Sequence, residues 1–253
     1  MKKKRKQKVD KETKKKEKKR ELRRKFKIID RDYGFSDPGL GKIYREWARP
    51  ASKLLVRTKL TANQVTLYAA LLGIVASALF IFNLYWLGII AMLLLHTRIM
   101  LDFADGMVAR ANKQCSKIGD WMDRILDRIC DLFLYLFICI GLYTATGNVW
   151  VWIWGFIALS GTLFNSMFIP ITKITYPDVD KSIKGKISKG SILKFFVYNR
   201  VNLYWVLTIF VLINQLYIFL ILTAIYSYLF YFVSVLYFER KFKRLENAKN
   251  KKA

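Results

Sequence analysis

The chain has 253 residues, 54% of them hydrophobic and 15% aromatic, yet its formal net charge is +26. That pairing argues against a soluble basic domain and for a membrane protein with basic aqueous ends. Half of the charge is local: residues 1–27 hold 17 Lys/Arg against Asp10, Glu12, Glu17 and Glu21, a net +13.

Residues 1–40 read as a basic, disordered cytoplasmic arm, because a low-complexity charged segment cannot bury enough apolar surface to offset chain entropy. Attraction to anionic lipid headgroups is the interaction such an arm offers. No aromatic residue precedes Phe26, so no nucleic-acid partner is expected. The first apolar run starts only at Val65, so no cleaved secretory signal is expected ahead of it.

Residues 41–62 mix Ile43, Tyr44, Trp47, Leu54 and Leu55 with Lys42, Arg45, Arg49 and Lys53. This is the pattern of an amphipathic helix lying in the membrane interface, broken or kinked at Pro50.

Residues 63–238 contain six apolar runs near the length needed to cross a bilayer: 65–82, 84–107, 121–144, 149–171, 195–213 and 216–238. The links at Asn83, at 146–148 and at 214–215 carry no charge. By contrast Arg110, Lys113 and Lys117 lie between runs two and three, and Lys173, Lys181, Lys184, Lys186, Lys189 and Lys194 lie between four and five. Basic residues gather on the cytoplasmic side, so six spans with both termini in the cytoplasm satisfy every link. Residues 239–253 form a basic cytoplasmic tail of net +5. The fold expected is an all-α integral membrane protein: six transmembrane helices behind an amphipathic interfacial helix.

Three cysteines, Cys115, Cys130 and Cys139, form no C-x-x-C pair and read as reduced structural residues. His96 is the only histidine, and its offset from Asp102 places it on another helix face, where a structural role is expected.

The acids are the informative feature. From Gln64 to Phe238 the only acidic residues are Asp102, Asp105, Asp120, Asp123, Asp127, Asp131, Asp178 and Asp180. Helical periodicity sets Asp102, Asp105, Gly106 and Ala109 on one face of the second run, and Gly119, Asp123, Asp127 and Asp131 on one face of the third. A short basic turn joins the two, so the carboxylate faces can meet. Carboxylates facing lipid would each cost roughly 2.5–3.5 kcal/mol, so these must face the bundle interior or water and need cations. Oxygen donors without a His or thiolate cluster suit Mg²⁺, Mn²⁺ or Ca²⁺ rather than zinc. Mg²⁺ usually completes its shell with substrate phosphate, which points to a phosphate-bearing substrate at a membrane surface. Arg110 fits phosphate recognition. Arg98, four residues before Asp102 and on its face, could bind an acceptor phosphate or steady a carboxylate; Arg200, Lys173 and Lys186 are further acceptor-site candidates.

Asp102-x2-Asp105-Gly106-x2-Ala109-Arg110-x8-Gly119-x3-Asp123-x3-Asp127 resembles, without departure, the signature of the CDP-alcohol phosphatidyltransferases. "LTANQVTL" (60–67) resembles the Thr-Pro-Asn-x-x-Thr stretch that opens the family's first helix, with Ala62 replacing Pro. The resemblance implies transfer of a phosphatidyl-type group from a CDP-linked lipid to the hydroxyl of a small alcohol, releasing CMP. It implies Asp102, Asp105, Asp123 and Asp127 as ligands of Mg²⁺ or Mn²⁺, with Asp127 also the general base. It further implies Gly106, Ala109, Arg110, Gly119 and Thr66 at the CDP-lipid site, and a homodimer. The basic fourth link and Arg98 tilt the acceptor towards a phosphorylated polyol such as inositol phosphate or glycerol phosphate. An intramembrane prenyltransferase would show two separated Asp-rich blocks in a longer chain. A cation transporter would carry its acids near mid-span or in repeated broken helices.

Overall fold

The computed structural model describes residues 2–31, 40–58, 60–175 and 198–250. Among these the chain is all-helical, with no strand. The helices are α1 (Lys2–Asp30), α2 (Gly41–Leu55), α3 (Ala62–Ala78, continued by a 3-10 turn at Leu79–Phe82), α4 (Tyr85–Asn112), α5 (Lys117–Thr146), α6 (Trp150–Thr175), α7 (Arg200–Leu212) and α8 (Leu216–Asn250).

Among the described residues four helical stretches are long and apolar enough to cross a membrane: Ala62–Phe82, Tyr85–Asn112, Trp150–Thr172 and Leu216–Arg244. They match the first, second, fourth and sixth of the expected spans. The third expected span falls in α5, which carries Asp120, Asp123, Asp127 and Asp131 in its first half. The fifth falls on α7, a shorter apolar helix of 13 residues. The tail expected from residue 239 onwards begins as a continuation of α8, which runs to Asn250.

The chain divides into two compact units. The first comprises Met1–Asp37, Gly41–Leu72 and Thr97–Asp127. Its core is Ile29 of α1, Ala48 of α2, Val56, Ala62 of α3, and Ala104, Met107, Val108 and Ala111 of α4. Four of these are alanines, whose small side chains let helix backbones approach closely. Tyr44 is fully buried and stacks on Phe103 at 6.2 Å. Ser52 donates its hydroxyl to the Ala48 carbonyl at 2.7 Å and lies 3.4 Å from the Ala104 carbonyl, so α2 seats against the last turns of α4.

The arm expected to be disordered is helical over Lys2–Asp30, and its last turns show why. Leu22, Phe26 and Ile29, spaced along one helical face, pack into this core. Lys53 and Arg57 lie over the Phe26 ring at 5.9 and 5.2 Å, and Lys53 pairs with Asp30 at 2.6 Å. Pro50, expected to break or kink the segment after Gly41, does not break it: it lies inside α2, which continues to Leu55.

The second unit comprises Pro38–Leu40, Gly73–His96 and Arg128–Ala253. Here α6 packs along α8, and α7 against α8. Asn165 of α6 donates to the Ser227 carbonyl of α8 at 2.7 Å, and Tyr135 of α5 hydrogen-bonds Thr162 at 2.9 Å, with Tyr198 on the same hydroxyl. His96 bonds Thr208 at 2.8 Å and packs on Trp205.

Candidate active site

Two helix ends build the site, and local sequence shapes each. Helix α4 stops in a Schellman motif: Lys113 takes a left-handed conformation (φ 57°), Gln114 donates to the Ala109 carbonyl at 2.8 Å, and Lys113 donates to that of Arg110. Three residues later Ser116 caps α5, its hydroxyl accepting from the Gly119 N–H at 3.0 Å. The turn between is too short to let the helices part, so Asp102 and Asp105 near the end of α4 meet Asp123 and Asp127 near the start of α5.

Thr61 opens α3 with a capping box: its hydroxyl accepts from the Gln64 N–H at 3.3 Å, and the Gln64 side chain accepts from the Thr61 N–H at 2.9 Å. Ala62 follows as the first helical residue. Its N–H donates to the Gln114 side chain at 3.2 Å, a bond that proline could not make. The departure at Ala62 therefore ties the start of α3 to the α4–α5 turn.

Asp102, Asp123 and Asp127 each offer an oxygen, and the three lie within 4.8 Å of one another. Three like charges that close need a cation between them, and an all-oxygen donor set is that of a hard divalent ion. The residues therefore fit Mg²⁺ or Mn²⁺. Asp105 is not in this trio: Thr66 of α3 donates its hydroxyl to Asp105 Oδ2, joining both residues on one wall. Arg98 Nη2 donates to Asp127 Oδ1 at 2.6 Å, and the Arg98 side chain is only 2% exposed. The Arg98 guanidinium therefore lies against the Asp127 carboxylate.

Beside the trio lies an open cavity of about 380 Å³, lined by Thr66, Asp102, Asp105, Gly106, Ala109, Arg110, Gly119 and Asp123. All of the expected CDP-lipid residues are on its wall. Two glycines keep it open. A Cβ on Gly106 would stand 3.3 Å from an Arg110 guanidinium nitrogen, and one on Gly119 would stand 3.0 Å from the Asn63 side-chain oxygen. The lining also includes Asn63, Phe103, Gln114, Cys115, Ser116 and Asp120, which were not expected there. Asn63 sits inside the quoted "LTANQVTL" stretch and could have been found from it; the turn residues 114–116 carry no such signal.

Arg200 lies in the second unit, where it grips Asp131 with two hydrogen bonds of 3.1 Å, and Arg128 adds a third contact at 3.2 Å. Asp131, which falls outside the signature, is 2% exposed and compensated by these arginines. Asp120 is exposed and pairs with Arg124. Lys173 falls in the last turn of α6, with its side chain outside the described part of the structure, and Lys186 lies outside the described residues altogether.

The model of the CDP-alcohol phosphatidyltransferase family matches residues 59–236. Relatives include the "Bifunctional IPC transferase and DIPP synthase" of Archaeoglobus fulgidus, 33% identical over 146 residues that cover 57% of this chain and 27% of that protein. The protein of the same description from Thermococcus kodakarensis is 37% identical over 126 residues, 49% of this chain and 26% of the relative. The chain thus spans about a quarter of the length of the curated relatives it matches. Among solved structures, Mycobacterium tuberculosis phosphatidylinositol phosphate synthase (PgsA1) with CDP-DAG bound aligns with a TM-score of 0.54 at 17% identity, over 72% of this chain and 88% of that one. The two share a fold.

Proposed function

The chain belongs to the CDP-alcohol phosphatidyltransferase family, and from that premise we propose that it transfers a phosphatidyl-type group from a CDP-linked lipid to the hydroxyl of a small alcohol, releasing CMP. The convergence of Asp102, Asp123 and Asp127 beside the cavity carries this reading. In the reaction the acceptor oxygen forms a bond to the lipid-side phosphorus, the pyrophosphate P–O bond breaks, and the acceptor proton passes to Asp127. Arg98 orients the Asp127 carboxyl for that transfer. Gly106 and Gly119 leave room for the nucleotide, Ala109 and Thr66 line its site, and Arg110 meets a phosphate with its planar fork. A divalent ion held by Asp102, Asp123 and Asp127, with Asp105 close by, would neutralise charge on the departing pyrophosphate.

The acceptor we favour is a phosphorylated polyol such as inositol phosphate or glycerol phosphate. The chain crosses the membrane six times in this reading, with α5 and α7 completing the count. Both termini and the site then face the cytoplasm, and two copies pair. The test is CMP release by purified protein in detergent with a CDP-lipid, Mg²⁺ or Mn²⁺, and a panel of alcohols. Release with at least one acceptor is expected, lost in Asp127→Asn by about 100-fold or more while CDP-lipid binding persists. Silence with every acceptor, or full turnover in Asp127→Asn, overturns the reading.

A further inference from the structure

The catalytic reading leaves helix α1 unused. Its final turns are held in place: Phe26 and Ile29 pack into the first unit's core, and Lys53 bridges to Asp30. Its earlier turns are different. Lys16, Lys18, Lys19, Arg20, Arg23 and Arg24 are all exposed. Like charges four residues apart, as in Lys16–Arg20, Lys19–Arg23 and Arg20–Arg24, repel across successive turns and oppose the helix. A surface of negative charge would relieve that repulsion.

We propose that α1 is a docking helix for an anionic lipid surface. Two observations favour lipid over nucleic acid. Through Phe26 and Ile29, α1 is fixed to α2, and α2 is fixed through Ser52 to Ala104 of α4, a helix long and apolar enough to cross a membrane. The basic stripe is thereby tethered to a membrane-crossing element, at the end of it that carries Arg110. In addition no aromatic side chain precedes Phe26, which is itself packed against the core, so the basic turns of α1 before it have nothing on which bases could stack. Phosphate-bearing headgroups need only charge, and each Lys or Arg near such a surface is attracted to it over a Debye length.

This inference requires insertion in a bilayer but no turnover, so it stands or falls apart from the transferase reading. The experiment is amide hydrogen exchange over residues 13–28 of the full chain in nanodiscs of phosphatidylcholine alone or with phosphatidylglycerol added. Exchange in the anionic discs should be slower by about tenfold or more, and the difference should vanish at high salt, where the screening length falls to about 3 Å. A variant with Lys16, Lys18, Lys19 and Arg20 changed to Gln should exchange equally in both lipids and release CMP in detergent as the parent does. Equal exchange of the parent in both lipids overturns the proposal. So does protection that appears only when an RNA oligonucleotide is added.

Discussion

Arg98 shows how much one buried side chain can decide. It is a permanent cation, 2% exposed on a helix long and apolar enough to cross a membrane, and its contact with Asp127 sets an opposite charge against it. Arg98→Met would leave Asp127 without that partner, and breaking a buried pair by removing one member costs about 3–5 kcal/mol. We expect CMP release to fall about 100-fold, because an unsteadied carboxyl is a poorly placed base. Mn²⁺ binding, followed by paramagnetic resonance, should not weaken, since a competing positive charge has gone. Loss of Mn²⁺ binding in that variant would show instead that Arg98 holds up the whole trio. Arg98→Lys, which keeps the charge without the planar fork, should recover part of the turnover.

At the scale of elements, close helix approach depends on small residues. A Cβ on Gly161 of α6 would stand 2.1 Å from the Ser227 hydroxyl of α8, so Gly161→Ala must push these helices apart. The same pair of helices shares the Asn165 bond to the Ser227 carbonyl, which would stretch with them. Overpacking of this kind costs about 1–3 kcal/mol. It should appear as a lower thermal midpoint in detergent, partly restored by adding Ser227→Gly; an unchanged midpoint would mean that the helices yield without cost. Element boundaries divide into those the local sequence announces and those it does not. Thr61 with Gln64 forms a capping box and Ser116 a cap, each from residues within three positions of one another. The helix over Lys2–Asp30 was hidden by its charge, because its few apolar residues matter only once α2 supplies the surface that receives Phe26 and Ile29.

At the scale of the whole molecule, bound metal and stability are linked, because a ligand that binds only the folded chain stabilises it. With Mn²⁺ at about 100 times its Kd the gain is about 2.7 kcal/mol. Chelation should therefore abolish CMP release and lower the thermal midpoint, and added Mn²⁺ should restore both. Asp123→Asn should show neither the loss nor the recovery. A midpoint indifferent to chelator would speak against a resident ion.

The sequence by itself determined which groups the candidate site brings: four carboxylates, two glycines and one arginine at fixed helical phase on either side of a short basic turn. Phase within one helix follows from its geometry, about 100° per residue, so it needs no partner to be read. Only the tertiary structure decided how these residues sort. It joined Asp102, Asp123 and Asp127, gave Asp105 to Thr66 and Asp127 to Arg98, and, within the second unit, gave Asp131 to Arg200. Distances between residues far apart in sequence depend on how each helix is rotated against its neighbour. That rotation is set by packing at positions such as Ala104 and Met107, which carry no chemical signature of their own.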